Sequence, residues 1–524
     1  MKVKIKKALL SVSDKTDLDK LAMSLSKNGV EIVSSGGTAK YLQDMGIEVT
    51  PIQKVTGNPE AFGGRMKTLS FQVSSGLLFR RDNNDDIAQA KELGIEAIDL
   101  VVCNLYPFEE VLKKNSDLDT LIENIDIGGP TMVRAAAKNY NYVTIATNPS
   151  QYTELISELE NNGETSFELR KHFALAAFQH TGRYDSIIAG ALEQRFDKQE
   201  PTITLSPQNA KTLRYGENPH QKAWVYTNTL ANGLASATPI QGKELSYNNL
   251  LDADAAWRSL SDLVRFNEDK QQRYGVTIIK HSNPCGAALS STQEKALEMA
   301  WMGDPVSSFG SIICFSHEVT EASAHWLSDK FVEVIMAPSF EAGALDVFAK
   351  KKNLRLIPIK AHVGDHKEAM IRSISGGWVV QEEDNGLDVE FQQVTKNQFD
   401  ENKIELAQFG TMVAKHLKSN AIALVRRTTE GFELVGAGMG NPNRLISLDQ
   451  AVNKAKENKV EDFSDLILIS DAFFPFRDNI DLANKAGIKF IVQPGGSIRD
   501  KEVIEACDEF GMSMVFTGTR HFRH

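Results

Sequence analysis

Residues 98–105 read Ile-Asp-Leu-Val-Val-Cys-Asn-Leu, an apolar run interrupted only by Asp99 and Asn104. A run this short, rich in β-branched residues, suits a strand buried on both faces. Such a strand needs helices above and below it, which restricts the fold to a mostly parallel sheet covered on each side. The surrounding sequence supplies both kinds of element. Ala8 to Val12 and Val30 to Ser34 are expected as strands. Between them Lys15 to Asn28 places Leu18, Leu21, Ala22 and Leu25 on one helical stripe. Thr131 to Lys138 is expected as a helix and Tyr142 to Ala146 as a further strand. The first 200 residues therefore predict a βαβ domain.

Asp197 to Ser206 (DKQEPTITLS) breaks this pattern and is taken as the main boundary, giving domains 1–200 and 201–524. The second part predicts strands at Val276 to Lys280, Ser311 to Phe315, Val332 to Met336, Leu466 to Ser470, Lys489 to Val492 and Met512 to Phe516. It also predicts a hairpin over Ala421 to Val435 that turns around Thr429, Glu430 and Gly431. At 324 residues it exceeds the usual span of one domain, so two packed units are expected. With 58 Lys and Arg against 69 Asp and Glu, the net charge of -11 disfavours a general nucleic-acid binder. The four cysteines are dispersed and form no CxxC, which fits a reducing compartment. The basic N-terminus lacks the apolar core of a signal peptide, and no run approaches a membrane span. A cytoplasmic enzyme is expected.

Several loops could bind an anion. Ser13-Asp14-Lys15 follows the first strand, and Ser35-Gly36-Gly37-Thr38 follows the second; each leads into a helix. Small residues there let backbone N–H groups approach a phosphate at a helix N-terminus. An ordinary N-cap and turn would give the same pattern. Gly63 to Thr68 (GGRMKT) adds Arg65 and Lys67 beside two glycines. In Ile125 to Asn139, Asp126 precedes Gly-Gly-Pro, and Arg134 and Lys138 lie four apart on one helical face.

In the second part, Val276 to Gly286 (VTIIKHSNPCG) carries Lys280 and His281 at a strand end. Histidine can move a proton near neutral pH, and lysine can stabilise negative charge. Pro284-Cys285 matches half of a PCxxC zinc motif, but residue 288 is Ala. Ser470 to Asn479 (SDAFFPFRDN) offers aromatic rings beside Arg477 and Asp478, suited to a flat heterocycle, and the C-terminus reads TRHFRH.

Taken together, VSDKT, SGGT, GGRMKT, CNLYPF, DIGGPTMVRAAAKN, LRYGENPHQ, YNNLLDADAAW, KHSNPCG, SSFG, SDAFFPFRDN and TRHF resemble the PurH family along essentially the whole chain. That family of bifunctional purine-biosynthesis enzymes joins an AICAR transformylase to an IMP cyclohydrolase. The resemblance implies an α/β fold: a methylglyoxal-synthase-like parallel-sheet domain, then tandem cytidine-deaminase-like α/β units lacking catalytic zinc. It implies formyl transfer from 10-formyltetrahydrofolate, a co-substrate, to AICAR, followed by dehydrative closure of FAICAR to IMP. No tightly bound cofactor and no metal are implied, and a homodimer is expected.

By the same resemblance, His281 takes a proton from the attacking amine and Lys280 stabilises the oxyanion. Arg214, Tyr215, Phe309, Gly310, Glu333, Asn420, Arg444, Phe473 and Arg520 hold the transformylase nucleotide; Asn249, Asp478 and Ser497 lie toward the folate. For ring closure, Ser13, Asp14, Lys15, Ser35, Gly36, Gly37, Thr38, Arg65, Lys67, Thr68, Cys103, Asn104 and Ile127 bind the nucleotide. Lys138 transfers protons with Tyr106 and Asp126 nearby. Two departures stand out: Met439 to Arg444 (MGNPNR) is longer than the family spacing, and Glu333 replaces an Asp found in some members. The competing reading is a nucleotide-binding regulator with a sensor domain of the methylglyoxal-synthase type, which would need neither Lys280-His281 nor the long second part.

Overall fold

A computed structural model describes residues 2–114, 116–193, 195–196, 208–227, 233–267, 273–364, 369–386 and 390–524. They form two compact units, Met1–Gln208 and Asn209–His524. The stretch 197–206, read above as the boundary, lies outside the described residues. No helix among the described residues is long and apolar enough to cross a membrane.

In the first unit, five strands form a parallel sheet in the order Thr50–Pro51, Glu31–Ser34, Lys7–Leu10, Leu100–Val102, Thr144–Ala146. The chain starts at the centre, winds outward to one edge, then returns to fill the other side. The reversal leaves a crevice beyond the carboxyl ends of Lys7–Leu10 and Leu100–Val102, where open α/β sheets bind ligands. Leu18, Leu21, Ala22 and Leu25 of helix Leu18–Lys27 are all buried against this sheet, as the stripe predicts.

The regular strand within the apolar run is only Leu100–Val102. Asp99 turns aside to accept the backbone N–H groups of Lys6 (2.7 Å) and Lys7 (3.0 Å) and to pair with Arg81. The helix expected from Thr131 begins earlier, at Gly128. Its first turn holds Gly-Gly-Pro, where the N–H that proline lacks would have had no intrahelical partner.

The second unit is built on an eleven-stranded sheet. Its order is Arg355–Pro358, Val332–Ala337, Ser311–Phe315, Tyr274–Lys280, Asn283–Ser290, Gly431–Gly438, Ile422–Arg427, Ile467–Ser470, Phe490–Gln493, Ser513–Phe516, Gln392–Gln393. Apart from the short last strand, the order is one motif used twice. In each half an antiparallel hairpin is followed by an antiparallel neighbour and then two parallel strands. The helices repeat too, with Tyr247–Asn267 and Ile404–Lys415 each preceding its hairpin.

The halves join where Asn283–Ser290 pairs with Gly431–Gly438. Gly431 is required at that seam: its φ is +156°, and a Cβ there would lie 1.8 Å from the Leu289 carbonyl oxygen. Gly431 also closes the hairpin anticipated around Thr429.

Candidate active sites

In the first unit the crevice is assembled by small side chains that tie loops together. Asn104 follows Leu100–Val102 and is buried. Its Oδ1 accepts the N–H groups of Ser13 (2.6 Å) and Asp14 (3.0 Å), and its Nδ2 donates to the Asp14 carbonyl (2.8 Å). Thr38 Oγ1 accepts from the Val12 N–H (3.1 Å) and donates to the Val12 carbonyl (3.0 Å). Three loops at the carboxyl edge are thus held in register. Asn104 and Thr38, read from resemblance as nucleotide contacts, are internal braces here, because their polar atoms serve the loops. Cys103 is buried in the core, and burial pushes its thiol far up, so it stays neutral.

Ser35 places no side-chain cap on helix Gly36–Asp44, so its first backbone N–H groups are left for a ligand or solvent. Lys67 Nζ lies beside this end, 3.6 Å from where a Cβ on Gly36 would sit, and pairs with Glu60 at 2.9 Å. Arg65 turns to Glu123. Thr68 packs on Gly128, where a Cβ would lie 2.6 Å from its hydroxyl.

Asp126 Oδ1 accepts the Gly129 N–H (2.8 Å), and the Asp126 N–H donates to Tyr184 Oη (2.9 Å). Burial raises the Asp126 carboxyl above its ordinary range, against the hydrogen bonds from the Gly129 and Tyr106 N–H groups. Tyr106 and Ile127 are exposed at the rim. The structure thus gathers Lys67, Thr68, Tyr106, Asp126 and the Gly36 helix end.

It does not bring Lys138 to Asp126. Lys138 is exposed in the last turn of helix Gly128–Lys138, and Asp126 precedes its first turn. Ten residues of rise separate the two ends, about 15 Å. The helical spacing that aligns Arg134 with Lys138 carries both away from Asp126, and Arg134 stacks over Phe178.

In the second unit, Lys280 and Asn283 face each other across the hairpin, so His281 and Ser282 form a two-residue turn. Both have positive φ, 51° and 61°, the sign pattern of a type I′ turn. Asn-Gly usually fills that turn; here each residue accepts a left-handed conformation costing about 1–2 kcal/mol. A cleft of about 250 Å³ opens beside it, lined in part by Lys280, His281, Asn283, Asp304, Met439 and Lys454. Lys280 Nζ donates to the Phe309 carbonyl (2.6 Å). Phe309 stacks against Phe331 with centroids 5.1 Å apart, and both rings are exposed.

Strand registers put the remaining residues along the same sheet edge. Gly310 lies beside Lys280, and Glu333, one strand further out, accepts from Asn249 Nδ2 at Oε2 (2.8 Å). Asn420, Phe473, Ser497 and Arg520 lie at the strand ends of the other half. Asp478 begins helix Asp478–Ala486 and is exposed. Ser497 Oγ accepts the Arg499 N–H at 3.1 Å. Arg214 stacks over Tyr215 at 5.3 Å in the loop after strand Gln208–Leu213.

Arg444 is not held out for a ligand. It is buried, paired with Asp471, and donates to Ser470 Oγ (3.0 Å) and Asn420 Oδ1 (2.6 Å). The longer loop before it is also used internally. Asn441 donates to Ser447 Oγ and Gln450 Oε1, and Asn443 caps helix Arg444–Glu457. The sequence reading missed Glu60, Phe331, Asp304 and Lys454. A lone Glu or Phe carries no spacing signal, and Asp304 and Lys454 meet at 3.3 Å only through the duplicated topology.

A family model described as AICARFT/IMPCHase bienzyme matches residues 136–454, and one described as MGS-like domain matches residues 17–131. The bifunctional purine biosynthesis protein PurH of Persephonella marina is 47% identical over 526 residues, covering 99% of this chain and 100% of that protein. Its namesake in Bacillus cereus strain 03BB102 is 42% identical over 525 residues, with 99% and 100% covered. A solved structure described as the crystal structure of ForH is 35% identical and covers 36% of this chain and 98% of its own, with a TM-score of 0.32. With relatives this similar over 99% of its length, the chain belongs to the AICARFT/IMPCHase bienzyme family.

Proposed function

We propose that the larger unit carries formyl transfer and the smaller unit ring closure. The chain is a bifunctional enzyme of purine biosynthesis: it moves a formyl group from 10-formyltetrahydrofolate to the 5-amino group of AICAR, then closes FAICAR to IMP with loss of water. The observation that carries the assignment to the larger unit is the Lys280-His281 pair at a strained turn beside a cleft.

In formyl transfer the 5-amino nitrogen attacks the formyl carbon, and His281 accepts the amine proton as the C–N bond forms. The carbonyl oxygen becomes an oxyanion that the Lys280 ammonium stabilises. The oxyanion then collapses, the bond from carbon to N10 of the folate breaks as N10 takes up the proton held by His281, and tetrahydrofolate leaves. The Phe309 carbonyl fixes the Lys280 ammonium at the sheet edge. The exposed Phe309–Phe331 pair offers a stacking surface for the imidazole.

In ring closure the carboxamide nitrogen attacks the new formyl carbon and water departs. Positioning and proton movement suffice for this step. Lys67 and the N-terminus of helix Gly36–Asp44 suit the phosphate, while Asp126 and Tyr106 stand where protons move.

The enzyme acts as a cytoplasmic homodimer in this reading. Phe309 precedes strand Ser311–Phe315 and Phe473 follows strand Ile467–Ser470, five places apart in the sheet, about 24 Å at 4.8 Å per strand. One nucleotide does not span that distance, so a second copy is needed to complete the site. Among the described residues the hairpin Met370–Ile374/Gly377–Gln381 pairs with no third strand, and it exposes Ile374, Trp378 and Val379 at 53%, 63% and 50%. Two strands alone are marginal in water, and a partner copy would cover them. The duplicated halves fit kinship with cytidine deaminases, which is part of the same proposal.

Purified protein supplied with AICAR and 10-formyltetrahydrofolate should yield IMP and tetrahydrofolate. Accumulation of FAICAR would remove ring closure from the reading, and consumption of neither substrate by a folded dimer would remove both steps.

A further inference from the structure

We propose that Asp252 is a positioning residue for formyl transfer, holding His281 in the left-handed turn from which its ring meets the cleft. This rests on the reading of Lys280 and His281 as the formyl-transfer pair.

Among the described residues six non-glycine positions have positive φ, and only His281 and Ser282 are adjacent. No glycine relieves the turn, so its conformation must be imposed from outside. Asp252 does this from helix Tyr247–Asn267. Its Oδ1 accepts the Ser282 N–H at 2.7 Å and the Ser282 hydroxyl at 3.3 Å.

The other side of the turn is fastened by Asn283. Its Nδ2 donates to the His281 carbonyl (2.9 Å), and its Oδ1 accepts the Lys418 N–H (2.9 Å). The backbone is clamped while the imidazole stays exposed. The helix is a dependable anchor, because Asn249, one turn earlier, is bonded to Glu333 in the neighbouring sheet. Burial pushes the Asp252 carboxyl up, and the Ser282 bonds with the nearby His281 ring oppose this. The carboxylate therefore does what a glycine at 282 would do, but with a fixed direction for the preceding side chain.

The role is hydrogen-bond geometry rather than charge, and substitutions separate the two. Steady-state formyl transfer is measured for His281→Ala, Asp252→Ala, Asp252→Asn, Asp252→Glu and the double variant Asp252→Ala with Ser282→Gly. Asp252→Ala should lose roughly 10- to 100-fold in kcat, the scale expected when a reacting group is displaced by about 1 Å. KM for AICAR should stay within about twofold, since binding itself is not altered.

Asp252→Asn keeps the acceptor and should retain most of kcat. Ser282→Gly should restore much of the loss in the Asp252→Ala background by making the turn favourable on its own. If Asp252→Ala does not fold, the conservative pair decides: Asp252→Glu keeps the charge but shifts the acceptor and should lose kcat, while Asp252→Asn should not. Wild-type kcat in Asp252→Ala, or Asp252→Asn as impaired as Asp252→Ala, overturns the proposal. Full activity in His281→Ala instead overturns the assignment of the pair.

Discussion

Asn104 meets Asp14 at both of its backbone polar groups, accepting the N–H at 3.0 Å and donating to the carbonyl at 2.8 Å. A side-chain amide thus stands in for a strand edge and joins two loops 90 residues apart in sequence. Asn104→Ala should cost about 1–3 kcal/mol, the penalty for leaving buried polar groups unpaired. It should slow cyclisation of supplied FAICAR and leave formyl transfer at its wild-type rate. Urea denaturation and the two separate assays check this; unchanged cyclisation would show that the brace is not needed for the site.

Lys280→Ala and His281→Ala should each reduce formyl transfer by roughly 10²–10⁴-fold. Both should still close added FAICAR. Equal loss of both activities in soluble, folded variants would break the assignment of one reaction to each unit.

Asp126 gives a pH dependence with a definite sign. Burial raises its carboxyl in the folded state, so the native protein holds that proton more tightly than the unfolded chain. Its contribution to stability is complete below the ordinary carboxylate range and is lost as pH rises through the folded value. Asp126→Asn keeps an acceptor for the Gly129 N–H without the charge. It should melt higher than wild type at pH 7, with the gap closing toward pH 4, and it should cyclise FAICAR more slowly. Parallel thermal melts from pH 4 to 8 test the sign; a gap that widens toward acid would reverse it.

The buried Arg444–Asp471 pair has side chains 5% and 0% exposed. Arg444→Met would strand the Asp471 carboxylate, at a cost of about 3–5 kcal/mol. The expected result is a large drop in denaturation midpoint for the larger unit. A small drop with a raised KM for AICAR would return Arg444 to a direct role in nucleotide binding.

Replacing Ile374 and Trp378 with Glu on the exposed hairpin should shift the protein toward monomer in sedimentation velocity at micromolar concentration. Formyl transfer should fall with it. A fully active monomer would place the complete site within one chain.

The parallel sheet of the first unit was legible because its signals are local. Leu18, Leu21, Ala22 and Leu25 lie on one stripe, and all four are buried. Strand Ser311–Phe315 coincides with its apolar run, and the hairpin at Gly431 follows from its turn residues. Strand Leu100–Val102 is shorter than its apolar run, although the Asp99 backbone still bonds to Lys7 and Thr144 on either side. The doubling of the second unit was expected from its length and from the family resemblance, not from any repeat in residue identity, because the repeat lies in topology. The division of the motif residues was not legible. Lys138, Arg444, Thr38 and Asn104 sit in motifs beside groups at the cleft, yet three of them serve neighbouring backbone or a buried partner and one lies at the far end of its helix. Motifs mark which residues matter to a site; hydrogen-bond partners show which of them also hold the backbone around it.

The seam between the two halves also sets a problem of timing. Seven of the eight residues of strand Asn283–Ser290 are buried in the finished sheet. On a ribosome this strand emerges about 140 residues ahead of Gly431, a wait of roughly 7–28 s at ~5–20 residues per second. During that wait the first half presents an unpaired apolar edge, a template for pairing with another nascent chain. The partner strand is supplied by the same polypeptide rather than by a separate subunit. The vulnerable interval is therefore bounded by translation speed, and does not depend on protein concentration.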